Sequence, residues 1–203
     1  SVTWYQTEGF LPAAILNYLA LMAWSHPEGK EIFSLDEFVK FVELKDLKPV
    51  APIFDVEKLK WMNGEYMRMM EDEMLLTHLK DFYKENADVQ KVLVSDHAKE
   101  IVALAKTRMK TLKEFSDLVL LLEIPYSDEE EKVAVSLRNS MEKITEWNKD
   151  TILAAMREVL TEQKVKGNVL YKVFTGRERG LPLPESLTIL GKEKTLERLS
   201  KIV

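Results

Sequence analysis

The stretch "FDVEKLKWMNGEYMR", residues 54–68, indicates that the fold is built from helices. Asp55 is a good N-cap residue in front of a helical pattern of apolar side chains. Asn63-Gly64, two turns later, is a pair typical of turns and C-caps, so the sequence predicts a helix that stops there and restarts. Cations also stand beside aromatic side chains, which amphipathic packing does not require: Lys58, Lys60, Trp61, Tyr66 and Arg68.

Helical periodicity extends outward from this stretch, and no run shows the sustained alternation typical of strands, so we expect an all-α fold. Pro-containing residues 47–54 predict a loop and a hinge. Breaks after Arg68 and in 123–131 predict three segments, stacked end to end as elongated helical bundles, at 1–70, 71–126 and 127–203. The other predicted helices cover about 12–24, the run after Ser34, 71–85, 88–106, 111–122, 128–146, 149–165 and 192–202.

Composition places the chain among ordinary globular proteins, with 46% hydrophobic and 31% charged residues. It has no apolar run of roughly 18 residues, so no membrane span is expected, and the first ten residues lack the basic start of a signal peptide. The absence of cysteine excludes disulfides and thiol nucleophiles and fits a cytoplasmic setting. A first residue of Ser suggests a fragment or a processed chain, although removal of an initiator Met would look the same.

Charge is distributed unevenly along the chain. The formal net charge of −5 argues against a nonspecific nucleic-acid binder. Residues 99–113 nevertheless carry five cations and one anion, a balance of +4, and residues 164–179 carry the same numbers. Two basic patches in an acidic chain indicate local contact with an anion, although solvated helix faces would look similar.

The first basic patch coincides with a predicted turn. Arg108 interrupts the apolar stripe that would run through residues 101–122 of one continuous helix, while Thr111 and Glu114 form a capping-box pattern that starts a new helix. Residues 106–110, "KTRMK", are therefore predicted to form an inter-helix turn. Such a turn suits contact with a phosphate or a base edge.

Catalytic and metal-binding patterns are missing. The three histidines have no metal-ligand spacing, and no glycine-rich phosphate loop or nucleophile elbow occurs. The carboxylates lie in predicted helix faces and caps, so no acid–base pair stands out. We expect no metal site and no catalytic residue in this chain.

Two long blocks carry a family resemblance. "GFLPAAILNYLALMAWSHPEGKEIFSLDEF" (9–38) and residues 54–68 closely resemble the glutamyl-tRNA synthetase family, just downstream of its second ATP-binding signature. The match continues through "TLKEF" (111–115), "FTG" (174–176) and "LGKEKTLERL" (190–199), so it spans essentially the whole chain.

The resemblance implies a class I synthetase without its Rossmann half. Residues 1–70 would be the stem-contact domain, and 71–126 and 127–203 would be two helical subdomains of the anticodon-binding domain. The chain would bind tRNA-Glu, with tRNA-Gln a further candidate, and neither DNA nor a membrane; a monomer is expected. The parent ligase would attach glutamate with ATP and Mg²⁺, whereas this part would need no cofactor. Whether the chain is itself an enzyme stays open.

The resemblance also assigns residues to the tRNA. Lys58, Trp61 and Arg68 would contact the inside of the tRNA L, with Trp61 as a core residue the alternative. Arg108 aligns with an Arg that similar discriminating synthetases use on the third anticodon base. Tyr171 stands where the family commonly has Arg, so either Tyr171 stacks on a base or a nearby Arg replaces the charge. The expected anticodon-binding residues are Lys106, Arg108, Lys110, Tyr171, Lys172, Arg177, Arg179, Leu181 and Leu183.

Two other functions remain open from the sequence. A stand-alone helical RNA- or protein-interaction module would carry basic patches without catalysis, and a small enzyme could use an unrecognised carboxylate site. Steeply salt-dependent tRNA binding would separate the tRNA-binding hypothesis from a protein-interaction module.

Overall fold

A computed structural model describes residues 1–48, 53–121 and 125–202. Within these ranges the chain forms thirteen α-helices, one short 3₁₀ helix and no strand, which confirms the all-α prediction. None of the helices in the described ranges is both long and apolar enough to span a membrane. Half of the hinge predicted in 47–54, residues 49–52, lies outside the described ranges, as do the first two residues of the break predicted in 123–131.

The helices are short, between 6 and 15 residues each. Their bounds are α1 Val2–Glu8, α2 Pro12–Ala23, α3 Leu35–Phe41, α4 Val56–Met69, α5 Asp72–Phe82, α6 Ala87–Leu93, α7 Ala98–Ala105, α8 Glu114–Val119, α9 Asp128–Glu142, α10 Lys149–Gln163, α11 Asn168–Thr175, α12 Leu183–Leu190 and α13 Lys192–Ser200, with the 3₁₀ helix at Leu44–Asp46.

Two compact units share these helices, Ser1–Phe115 and Ser116–Val203. The finer division at residues 70 and 126, and the end-to-end stacking, stay predictions. The helices differ from the expected ones in two places. The predicted helix over 88–106 is two helices, α6 and α7, and the one over 111–122 is reduced to α8 in the described residues.

Helix α4 corrects the prediction made from residues 54–68. Asp55 caps it as expected, because its carboxylate accepts the N–H groups of Glu57 and Lys58 at 2.9 and 3.1 Å. The helix then runs without a break through Asn63 and Gly64, both of which are buried. A glycine costs only about 1 kcal/mol inside a helix, so tertiary contacts can outweigh the local turn preference.

The core of the first unit is formed where α2 packs against α4. Phe10, Tyr18, Leu59 and Met62 form a buried cluster there. The hydroxyl oxygen of Tyr18 accepts the N–H of Asp55 at 2.6 Å, which ties the start of α4 to α2. This packing fixes which face of α4 is buried and which is left exposed.

The second unit packs α9, α10, α11, α12 and α13 around one apolar cluster, in which Leu137, Met141, Ile152, Phe174 and Leu199 are buried. The capping box predicted before α9 is confirmed: Ser127 Oγ accepts the Glu130 N–H, and a Glu130 carboxylate oxygen accepts the Ser127 N–H. Helices α11 and α12 are not among the helices that the sequence predicts.

Candidate nucleic-acid interface

One exposed face of α4 carries the first set of expected contact residues. Four residues of α4 are spaced i, i+3, i+7 and i+10 and therefore lie along one side of the helix: Lys58, Trp61, Glu65 and Arg68. The side chain of Trp61 is 38% exposed, so the alternative that it is a core residue is wrong. The face therefore offers an aromatic ring between two cations.

Both cations on this face already have carboxylate partners. Lys58 Nζ lies 2.6 Å from Glu31 Oε1, and the guanidinium of Arg68 is paired with Glu65. Because both pairs are partly exposed, each contributes only about 0–1 kcal/mol, and a phosphate can compete for the cation.

Gly64 shapes the position of Arg68. A Cβ at residue 64 would lie 3.1 Å from both Nη atoms of Arg68, so the guanidinium rests against the bare backbone of the helix. Lys60 is on a different side of α4 and is paired with Glu57 at 3.0 Å, a hydrogen bond that raises the pKa of Lys60. Arg68 is thus held close to α4, rather than extended freely into solvent.

The turn expected at 106–110 is present, between the end of α7 at Ala105 and the start of α8 at Glu114. Helix α8 starts at Glu114, two positions after the residue at which a cap at Thr111 would begin it, and the Glu114 carboxylate accepts the Lys110 N–H at 2.8 Å rather than the Thr111 N–H. The side chain of Met109 is fully buried, whereas that of Arg108 is exposed. The turn is therefore anchored by one apolar side chain and presents a cation beside it.

Contacts from distant parts of the first unit fix the backbone around this turn. Asn63 Nδ2 donates to the carbonyl oxygen of Lys110 at 2.6 Å, and the Tyr83 hydroxyl lies 2.6 Å from the carbonyl oxygen of Lys113. Gly9 accepts the Leu112 N–H at 3.0 Å. A Cβ on Gly9, whose φ is +76°, would come within 2.8 Å of Leu112 and Lys113, so only glycine fits there.

The three cations of the turn have different surroundings. Lys106 Nζ lies 2.5 Å from Asp72 Oδ1 and 3.1 Å from the carbonyl oxygen of Met70, with only 20% of its side chain exposed. Lys110 Nζ is 3.9 Å from Glu57. Arg108 has no ion-pair partner among the residues that the structure describes. Lys106 thus has a structural role, and Arg108 is the cation left available.

The second basic patch lies in the second unit, between α10 and α12. Lys172 Nζ is 3.5 Å from Glu178, and Arg177 Nη2 is 3.4 Å from Asp117. Arg179 is exposed and has no ion-pair partner within 125–202 or the other described ranges. The same is true of two further cations, Lys164 and Lys166. Arg179 is therefore the best placed of the expected residues in this unit to reach a ligand.

Three other expected contact residues pack inward to different degrees. Tyr171 is half-buried against the core of the second unit, and a Cβ on Gly180 would lie 3.5 Å from its ring. Leu181 is also half-buried. Leu183 is 5% exposed and belongs to the core, which corrects the expectation of a loop contact there, since a base cannot reach it without opening that core.

A group of titratable side chains around His26 is held together by hydrogen bonds within the first unit. The buried His26 lies 3.1 Å from Glu37 and accepts the Glu28 N–H at 3.0 Å, so both ring nitrogens are engaged. A hydrogen bond from Lys30 lowers the pKa of Glu37, and Lys30 also lowers the pKa of Glu28. Across the described ranges, no group of three His, Asp or Glu side chains is close enough to hold a metal ion.

Comparison with protein families gives two adjoining matches. Residues 73–203 match the anticodon binding domain model, which covers more than half of the chain. Residues 1–61 match the model of the catalytic domain of class I tRNA synthetases (E and Q).

Similar proteins are longer than this chain. Glutamate–tRNA ligase 1 of Fervidobacterium nodosum is 34% identical over 210 residues, which cover 98% of this chain and 44% of the ligase. The Thermus thermophilus ligase is 34% identical over 216 residues, or 99% of this chain and 46% of the ligase. The crystal structure of a glutamate tRNA ligase from Elizabethkingia meningosepticum in complex with its amino acid has a TM-score of 0.74 at 27% identity, over 98% of this chain and 42% of that one.

These matches agree in family and in extent. The chain spans less than half the length of the curated relatives it matches. Its anticodon binding domain match begins at the second residue of α5 and covers every later helix of the described residues. The chain therefore belongs to the glutamyl-tRNA synthetase family, as the part that carries the anticodon-binding domain.

Proposed function

We propose that this chain binds tRNA-Glu and recognises its anticodon, as the tRNA-binding part of a glutamate–tRNA ligase. The observation that carries the proposal is Arg108, an exposed guanidinium without an ion-pair partner in the described residues, on a turn that buried contacts hold in place. A planar fork of donors on a fixed backbone suits recognition of a base edge. The anticodon binding domain match, residues 73–203, supports this assignment.

The exposed face of α4 has a different proposed role. Lys58 and Arg68 would contact phosphates of the tRNA backbone, and Trp61 would pack against the sugar–phosphate chain or a base between them. Such contacts position the RNA without reading its sequence. We therefore expect α4 to contribute affinity and Arg108 to contribute discrimination.

The second unit would add contacts through the loop that follows α11. Arg179 is the expected contact residue there that is both exposed and free of ion pairs in the described residues. Tyr171 would present at most one edge of its ring, because its other side packs against the core. Tyr171 could stack on a base, or Arg179 could replace the Arg that the family commonly has at position 171. The second alternative agrees better with the burial of Tyr171.

The rest of the ligase reaction is assigned to residues outside this chain. The family attaches glutamate to tRNA with ATP and Mg²⁺, and the resemblance of this chain begins downstream of the family's second ATP-binding signature. For that reason we assign no catalytic residue to this chain. A cytoplasmic location goes with this role in translation.

Binding of a tRNA-Glu transcript, measured by fluorescence anisotropy at two salt concentrations, tests the proposal. The affinity should fall steeply with salt, by a slope of about 0.7–0.9 per phosphate contact on logarithmic axes. Arg108→Gln should weaken binding by about 1–3 kcal/mol. Arg157→Gln removes another exposed arginine, on α10 and outside the proposed interface, and should leave the affinity unchanged.

Two outcomes would contradict the proposal in different ways. Absence of tRNA binding at both salt concentrations would favour a protein-interaction module. Equal weakening by Arg108→Gln and Arg157→Gln would show that binding depends on overall charge rather than on the turn at 106–110. A comparison with a tRNA-Gln transcript would show whether the chain accepts both tRNAs.

A further inference from the structure

The pair Asn63-Gly64 is chemically reactive when the chain around it is free to move. The backbone nitrogen of the residue after an asparagine can attack the side-chain amide carbon of that asparagine, and asparagine is accordingly a thermolabile residue type. A glycine in the following position hinders this attack least, because it has no side chain and the widest choice of backbone conformations. Of the six asparagines in the sequence, Asn63 is the only one that glycine follows.

The folded first unit blocks this reaction in two ways. The side chain of Asn63 is fully buried, and its amide is fixed by hydrogen bonds of 2.7 and 2.6 Å to the backbone of Leu11 and Lys110. Gly64 lies in the interior of α4, where the hydrogen-bond ladder of the α-helix engages its backbone N–H. The amide group of Asn63 and the attacking nitrogen of Gly64 are thus both held by other contacts while α4 is intact.

We propose that Asn63 is a site of spontaneous deamidation when α4 opens, and that this reaction makes the opening of the first unit irreversible. The backbone nitrogen of Gly64 forms a bond to Cγ of Asn63, the bond from Cγ to Nδ2 breaks, and the proton lost by the Gly64 nitrogen leaves with Nδ2 as ammonia. Water then adds to one of the two carbonyl carbons of the resulting succinimide ring and breaks the bond from that carbon to the ring nitrogen. The product is an aspartate or an isoaspartate at position 63, and water is the only co-reactant.

Neither product fits the place that Asn63 occupies. An aspartate would put an oxygen where Nδ2 lies, 2.6 Å from the carbonyl oxygen of Lys110, and would bury a carboxylate. An isoaspartate adds one carbon atom to the main chain inside α4, so the residues after it no longer continue the helix in register with those before it. The displaced half includes Met67, which is fully buried in the first unit. The consequence is therefore a loss of folding, and it does not depend on RNA binding.

Peptide mapping by mass spectrometry tests whether folding protects Asn63. The full chain is incubated in mildly alkaline buffer, once without urea and once above the urea midpoint of unfolding, and the exchange of NH₂ for OH at Asn63 is followed with time. The rate without urea should be at least about a hundredfold lower, because it depends on the small population in which α4 is open.

Lys166→Asn provides the matched control, because it puts the same pair of residue types in an exposed turn in front of Gly167. The introduced pair should react at similar rates with and without urea, while Asn63 in the same molecules stays protected without urea. A rate at Asn63 that does not change with urea would overturn the proposal, as would the absence of reaction at Asn63 in urea. Equal protection of the exposed pair would also overturn it, since burial would then not be the cause.

Refolding tests the consequence of the reaction. After increasing times in urea and return to buffer, the fraction of chain that regains its native near-UV circular dichroism should fall in step with the loss of Asn63. Gly64→Ala adds a side chain next to the attacking nitrogen and should slow both the reaction and the loss of refolding several-fold. An equal loss of refolding in Gly64→Ala and the wild type would overturn the proposal, because another lesion or aggregation would then be responsible.

Asn63→Asp places the aspartate product in the chain directly. It should unfold at a lower urea concentration than the wild type, whereas Asn139→Asp, the same change on an exposed face of α9, should keep the wild-type midpoint. A wild-type midpoint in Asn63→Asp would show that the folded first unit tolerates the product, and this result would overturn the proposed irreversibility.

Discussion

Asn63 Nδ2 donates a hydrogen bond of 2.6 Å to the carbonyl oxygen of Lys110, which lies 47 positions later in the chain. The Oδ1 atom of the same side chain accepts the N–H of Leu11 at 2.7 Å. One fully buried amide thus joins α4 to the start of α2 and to the turn that carries Arg108. The position of the proposed anticodon-reading residue depends on a side chain that touches no ligand.

Asn63→Ala should destabilise the first unit, because two backbone groups that it satisfies would be left buried and unpaired. We expect a loss of about 1–3 kcal/mol in the free energy of unfolding. Urea denaturation followed by tryptophan fluorescence can measure this, since three of the four tryptophans lie in the first unit.

Asn139→Ala, on an exposed face of α9, provides the control for that measurement. Its effect should stay within about 0.5 kcal/mol, as for ordinary surface substitutions. If Asn63→Ala is as stable as Asn139→Ala, the hydrogen bonds of Asn63 do not hold the turn.

Gly64→Ala should separate stability from RNA binding. The added methyl would meet both Nη atoms of Arg68 at 3.1 Å, and the end of that flexible side chain can move aside. Alanine is favoured over glycine inside a helix by about 1 kcal/mol, so the variant should be at least as stable as the wild type. Binding of tRNA should nevertheless weaken, because the guanidinium leaves its place on α4.

The double variant Gly64→Ala, Arg68→Ala shows whether the two residues act together. If Gly64 acts by placing Arg68, the double variant should bind tRNA no more weakly than Arg68→Ala alone. Additive losses in the anisotropy titration would mean that Gly64 affects binding by another route.

Local sequence patterns located the starts of several helices, and they failed where distant contacts decide the backbone. Asp55 and Ser127 cap α4 and α9 as predicted, because N-capping involves only neighbouring residues. Asn63-Gly64 does not end α4, because the partners of Asn63 are Leu11 and Lys110, whose proximity no local pattern shows. Helix α11 does carry a local signal in the helical spacing of its four buried apolar residues, from Val169 to Phe174.

The candidate site was predictable in part for the same reason. A cation within an apolar stripe, followed by a capping pattern, located the turn at 106–110 and singled out Arg108. The sequence does not distinguish Arg108 from Lys106, which is held by Asp72 and Met70, and it assigns a loop role to Leu183, which is buried. Those distinctions depend on which side chains meet in the folded chain.

Low pH should reduce the free energy of unfolding of the first unit, in part through protonation of Glu37. A hydrogen bond from Lys30 is the main cause that lowers the pKa of Glu37 below its ordinary value of 4.5, with a smaller contribution from His26. A carboxylate with a lowered folded-state pKa contributes stability above its unfolded pKa, and this contribution is lost as the pH falls through the folded value. We therefore expect Glu37→Gln to be less stable than the wild type near neutral pH, and the difference to shrink toward about pH 3.

Urea denaturation at several pH values between 7 and about 3 gives the measurement for Glu37. Glu162→Gln, exposed on α10 in the second unit, should follow the wild-type profile in the transition of the first unit. A constant difference between Glu37→Gln and the wild type over the whole range would show that the ion pair with Lys30 does not contribute to stability.

Arg108 should read the third anticodon base. The measurement compares the affinities of the wild type and of Arg108→Gln for tRNA-Glu and for the same tRNA with that base changed from C to G. An arginine can donate a paired set of hydrogen bonds to a base edge, and its loss typically costs about 1–3 kcal/mol of discrimination. The difference between the two affinities should therefore shrink by that amount in the variant, while the protein stays folded because Arg108 is exposed.

The same pair of tRNAs distinguishes base reading from phosphate binding. A phosphate contact at Arg108 would weaken both complexes equally and reduce the salt slope by about one, with the difference between the tRNAs unchanged. That result would contradict base reading and would make Arg179 the next candidate, since it is exposed and unpaired in the described residues. Lys106→Gln gives the opposite control. It should lower the free energy of unfolding through the lost contact with Asp72 and leave the difference between the two tRNA affinities unchanged. The reason is that Lys106 is directed toward Asp72 and Met70 rather than toward solvent.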